Sequence, residues 1–142
     1  MRALLDVNVL IALLDADHTL HRRASDWFAE HAPSGWASCP ITQNGCIRIM
    51  SHPGYPNPVP VAAVAERLRE AGANPLHEFW PDDASLLDHG TIEPSRIHGP
   101  RQVTDVYLLA LAVGHGGRFV TFDKALSRGA VRRAEARHIV VL

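Results

Sequence analysis

Cysteine is scarce: the 142 residues hold two, Cys39 and Cys46, and neither belongs to a CxxC pair. Two thiols are too few for a disulfide framework, which excludes a small secreted disulfide scaffold. A surplus of charge is missing as well. The formal net charge is −1, so no global basic footprint advertises nucleic acid, and any attraction for it must come from a local patch. Long apolar runs are absent, with no stretch approaching the roughly 18 residues that span a bilayer. The apolar run after Met1-Arg2 is interrupted by Asp6 and Asn8, ended by Asp15 and Asp17, and followed by no A-x-A site, so it does not read as a signal peptide. The expectation is a cytoplasmic protein with reduced thiols and no membrane partner. No GxGxxG follows the first apolar segment, which removes the dinucleotide-binding fingerprint. Internal repeats and low-complexity tracts are also absent.

What is present is an ordinary globular balance, 46% apolar and 20% charged. A chain of this length buries a real core as one domain spanning 1–142. Arg2–Leu5 reads as a buried strand, Asp6-Val7-Asn8 as a polar break, and Val9–Leu14 as an apolar helix. An amphipathic helix over His18–His31 carries Leu20, Ala24, Trp27 and Phe28 on one face, a stripe suited to core or dimer contact. His18 and His21 have metal-ligand spacing but sit beside Asp17 at a helix start, which favours a solvated face. Gly35–Ser38 reads as a short strand and Pro40–Met50 as a helix. The prolines of His52–Pro60 forbid helix and central strand, leaving a loop with freedom to move. Beyond it come a helix over Val61–Ala71, a strand over His77–Trp80 and a short helix from Asp82-Asp83. After a second loop, Gly90–Gln102, follow a strongly apolar helix over Val103–Val113 and a strand over Arg118–Phe122. A turn at Asp123–Leu126, a helix over Val131–Ala136 and a last strand, Ile139–Leu142, complete the chain. This alternation predicts an α/β domain with a mainly parallel sheet flanked by helices.

Three acids stand where carboxylates are costly. Asp6 and Asp123 each follow an apolar strand, and sites in open α/β sheets form at the carboxyl ends of strands. Asp105 follows Thr104, which reads as the helix N-cap, and shares its stripe with Leu108, Leu109 and Ala112. Taken singly, each acid has an ordinary explanation as a cap, a turn residue or a partner of the helix dipole. As a converging set they do not: two carboxylates about 4 Å apart repel by roughly 4 kcal/mol at an effective dielectric of about 20. A cation relieves that repulsion, and oxygen-only ligands favour Mg²⁺ or Mn²⁺ over zinc.

At these residues the sequence resembles the PIN-domain ribonucleases, in particular the VapC toxins of bacterial toxin–antitoxin pairs. Leu4–Leu10 is similar to the family's opening motif, Val103–Ala110 to its helix motif and Phe119–Asp123 to its late strand motif, in matching order and spacing over essentially the whole chain. The resemblance implies a five-stranded parallel sheet between helices and Mg²⁺-dependent cleavage of RNA, with Mn²⁺ able to substitute. It also implies a homodimer and a cognate VapB-type antitoxin that blocks the site. On the matching positions Asp6, Asp105 and Asp123 would hold the metal, and Asn8 and Thr104 would support them by hydrogen bonds. The family usually carries a glutamate on the helix after the second strand, where this chain places Gln43. An amide there brings no charge, so the expectation is three carboxylates, one well-held ion, and Gln43 orienting water or substrate.

Cations for RNA are sought in the second loop, which holds Arg96, His98 and Arg101 against Glu93 alone, and beside the late strand at His115 and Arg118. The alternative reading is a catalytically weak or inactive scaffold of the same fold, with Gln43 as the mark of lost catalysis. An aspartyl phosphatase is disfavoured, because the second aspartate it wants two residues after Asp6 is Asn8.

Overall fold

A computed structural model describes residues 1–142. Five short strands form one sheet: β1 (Ala3–Leu5), β2 (Trp36–Ser38), β3 (His77–Phe79), β4 (Arg118–Thr121) and β5 (Ile139–Val141). Their order is β3-β2-β1-β4-β5 and every pairing is parallel. Helices α1 (Val7–Leu14), α2 (His21–His31), α3 (Pro40–Met50), α4 (Val61–Gly72) and α5 (Val103–Gly114) lie in the connections that lead up to β4, and two short 3-10 turns lie between β4 and β5. None of them is long and apolar enough to cross a membrane.

Central position explains why β1 is apolar without interruption. A parallel strand covered on both faces has no side facing water, and all three residues of β1 are buried. Successive side chains alternate between the faces. Leu4 and Phe119 join Ala37, Trp80 and the buried side of α5 in one core. Ala3, Leu5 and Val120 join Trp36 and the helices α1, α3 and α4 in the other. The helix α5 is buried from Val106 through Ala112, in agreement with its apolar residues on all sides. Gly117 ends the turn after α5 where a Cβ would lie 2.6 Å from the Arg2 carbonyl oxygen, so only glycine lets β4 enter this close beside β1.

Two expected helices are absent. The chain from Pro81 to Leu86 runs without regular structure, because its acids are engaged in tertiary bonds. Asp83 meets the His115 ring at 2.8 Å, and Asp82 lies against the Tyr107 hydroxyl. Val131–Ala136 does not coil either. The amide of Glu93 donates to the Ala130 carbonyl and that of Arg132 to the Thr91 carbonyl, so this backbone pairs with residues 91–93. The proline-rich loop is tethered: the Tyr55 hydroxyl donates to Asp15 Oδ2 at 2.5 Å, fixing it to the end of α1.

Candidate functional site

The carboxyl ends of β1 and β4 lie side by side and meet the first turn of α5. Asp6 is the N-cap of α1, which begins at Val7, two residues earlier than the polar break suggests. Its Oδ1 accepts the Val7 amide at 2.7 Å and its Oδ2 accepts the Thr121 hydroxyl at 2.6 Å. The residue is 7% exposed. Burial pushes its pKa up, the bonds from Thr121 and Val7 oppose that, and the charge of Asp123 adds to it.

Asp105 stands in the first turn of α5. The helix positive end ordinarily favours a carboxylate, yet this one is pushed up to about 7. Burial is the main cause, followed by the charge of Asp6 and by the hydrogen bond and charge of Asp123. The three acids therefore feel one another electrostatically. Asp123 follows β4. Its amide donates to the Thr121 hydroxyl at 3.0 Å and its Oδ1 accepts the Ala125 amide at 2.8 Å.

The supporting bonds differ from those expected. The residue before α5 is Gln102, whose side chain reaches Ala125, while Thr104 lies within the first turn and makes no capping bond. Thr104 and Asn8 line the cleft but make no hydrogen bond to the carboxylates; the hydroxyl that does so belongs to Thr121. The cleft measures about 420 Å³, and Asp6, Asp105, Asn8, Thr104, Asn44 and Arg48 are among its walls. Gln43 is not among them. Its amide donates to Ser38 Oγ at 3.0 Å, and Ser38 in turn meets His77 Nε2 at 2.8 Å, so Gln43 faces a separate depression beside α4. The phase of α3 is set by Gly45, where a Cβ would come 2.8 Å from a Val7 methyl. That close approach turns Asn44 and Arg48, one helical turn apart, toward Asp6.

The expected RNA contacts divide. Arg101 occupies the turn just before α5, at the carboxylate end. Arg96 is paired with Glu93 at 3.4 Å. His115 and Arg118 lie at the opposite end of α5 and β4, where His115 stacks on Trp80 and pairs with Asp83, and Arg118 sits 5.4 Å from the Trp27 ring. These two flank the late strand as expected, but an intervening helix or strand carries them to the end of the sheet opposite the carboxylates. Arg48 is the cation that sequence reasoning missed. Its one signal was its position a turn after Asn44 on a helix leading away from a strand end.

A divalent cation fits this donor set by chemistry. Crowded carboxylate oxygens that raise one another's pKa are relieved by a hard ion of opposite charge. The side chains as they stand do not form a closed three-ligand cage, and Asp123 Oδ1 accepts the Ala125 amide.

Residues 3–131 match the PIN domain family. The chain belongs to that family. Ribonuclease VapC44 of Mycobacterium tuberculosis (strain ATCC 25618 / H37Rv) is 54% identical over 142 residues, the whole of both chains. Ribonuclease VapC39 of the same strain is 42% identical over 132 residues, covering 92% of this chain and 94% of the relative. Ribonuclease VapC38, also of that strain, is 43% identical over 122 residues, covering 85% and 84%.

Proposed function

We propose that the chain is a VapC-type endoribonuclease toxin that hydrolyses RNA phosphodiester bonds with a single well-held Mg²⁺, for which Mn²⁺ can substitute. The carrying observation is that acids distant in sequence meet at the end of one sheet: Asp6 and Asp105 line one open cleft, and the Thr121 hydroxyl joins Asp6 to the Asp123 amide. Such an ion, when bound, lowers the pKa of a water and offsets charge on the phosphate. Asp6, Asp105 and Asp123 would hold it. Thr121 fixes the Asp6 carboxylate in one orientation through its hydroxyl. Arg48, exposed and on the cleft wall, offers a guanidinium to a phosphate oxygen. Asn44, Asn8 and Thr104 offer neutral hydrogen bonds to substrate or water.

Family membership also supports a VapB-type antitoxin and a homodimer as the chain's protein partners. An apolar groove of about 330 Å³, with Leu10, Leu14, Phe28, Trp36 and Leu68 among its walls, suits the apolar side chains of such a partner.

The test is RNA cleavage by the intact chain and by its Asp6→Asn variant, with and without EDTA. Asparagine is as good an N-cap as aspartate, so the variant is expected to fold and to lose most activity. Cleavage that survives either treatment refutes the ion-dependent mechanism. A melting temperature unmoved by Mn²⁺ favours the scaffold alternative.

A further inference from the structure

The largest cavity of the molecule, about 510 Å³, is not at the carboxylates. It opens at the opposite end of the sheet, between the end of α5 and the segment 132–138. Its walls include Arg132, Arg133, Arg137, Glu135, His138 and Gly116. Three arginines and one glutamate thus line it. Glu135 pairs with Arg137 at 3.1 Å. Arg132 is held from behind, its Nε on the His89 carbonyl at 2.6 Å and its Nη1 3.5 Å from Glu93, a carboxylate also 3.4 Å from Arg96. Arg133 has no ion-pair partner and is exposed. At the base lies His138, only 6% exposed. Its Nδ1 accepts the Glu135 amide at 2.8 Å, which leaves Nε2 carrying the ring proton without a protein acceptor.

We propose that this arginine cleft is a second phosphate-binding site, which grips the backbone of the RNA substrate away from the cut. The reading rests on the ribonuclease assignment above. Guanidinium forks and the free N–H of the His138 imidazole are donors only, and planar forks match phosphate oxygens. The chain as a whole carries a net charge of −1, so a local basic cleft is how it can attract a polyanion. From Asp105 to Val113 the helix α5 advances about 12 Å, at roughly 1.5 Å per residue. A strand stacked at about 3.4 Å per nucleotide takes about four nucleotides to cover that distance. The cleft therefore serves long or folded RNA, and an RNA trimmed to the nucleotides around the cut cannot reach it.

The test uses the double variant Arg133→Gln, Arg137→Gln in the full chain. Cleavage of a long RNA is compared with cleavage of the same sequence trimmed around its cut, across a salt series. The expected result on the long RNA is a several-fold higher KM with unchanged kcat. The slope of log KM against log salt should shrink by about two, one for each lost phosphate contact. Both parameters should stay unchanged on the trimmed RNA. Equal losses on both substrates, or none on the long one, overturn the proposal. Unchanged RNA kinetics with weakened antitoxin binding would overturn it too, by giving the cleft to an acidic protein segment. Equilibrium binding of long RNA to the Asp6→Asn chain, with and without the arginine changes, reads the cleft independently of cleavage. If the double variant does not fold, Arg133→Glu alone should show the same salt signature, and a wild-type slope there overturns the proposal.

Discussion

The hydroxyl of Thr121 serves two aspartates: it donates to Asp6 Oδ2 at 2.6 Å and accepts the Asp123 amide at 3.0 Å. One buried oxygen thus ties the end of β1 to the turn after β4. Thr121→Val keeps the shape and removes both bonds. The Asp6 carboxylate then stays buried with one partner fewer, a loss of about 1–3 kcal/mol. Chemical denaturation should show that loss, and RNA cleavage should fall with it. A variant as stable and as active as the parent would separate Thr121 from the site.

Asn44 and Gln43 are adjacent in sequence and face different clefts. Asn44→Asp adds a carboxylate beside Asp6 and Asp105, and Mn²⁺ affinity measured by calorimetry is expected to rise several-fold. Gln43→Ala is expected to leave cleavage within about twofold and to cost only about 1 kcal/mol, the worth of its bond to Ser38. The reverse pattern would return Gln43 to the site.

The pH dependence of the metal-free chain follows from Asp105, whose carboxyl is pushed up to about 7 chiefly by burial, then by the charges of Asp6 and Asp123. A raised acid pKa means that the folded state holds the proton more tightly than the unfolded chain. The associated stability is complete below the ordinary carboxylate range and is lost as the pH rises from about 4 to about 7. Thermal melts in EDTA should therefore fall across that window more steeply for the parent than for Asp105→Asn. Parallel curves for the two would contradict the crowding of these acids.

Tyr55 holds the proline-rich loop to α1 through Asp15, and its hydrogen bond draws the Asp15 carboxyl below the usual range. Tyr55→Phe should cost about 1 kcal/mol and speed amide exchange across residues 51–60. Activity on RNA is expected to change less than loop exchange does. Unaltered exchange would mean that the backbone bond from Val59 to Met50 holds the loop by itself.

Where periodicity and burial act together, the sequence was legible. The strands around Leu4, Ala37 and Val120 fall within a residue or two of their expected bounds, because a buried apolar run ended by a polar residue has few other uses. Asp6, Asp105 and Asp123 stood out because an acid amid apolar neighbours needs a reason. The short helix expected from Asp82-Asp83 and the helix expected over Val131–Ala136 do not form, since pairwise bonds such as Asp83 to His115 leave no periodic trace. The phase of α3 was hidden for a similar reason. It depends on Gly45 meeting Val7 across the fold, and a single glycine in a helical pattern does not announce which side it frees.

The bond between Asp6 and Thr121 also has a consequence in time, because its partners are 115 residues apart. A ribosome adding about 5–20 residues per second makes the first aspartate roughly 6–23 s before the hydroxyl that orients it. Throughout that interval the nascent chain lacks Thr121, Asp123 and β5. Asp6 therefore cannot take its final orientation until Thr121 has been made. Shortening the chain from the carboxyl end should disarm it long before the first aspartate is touched.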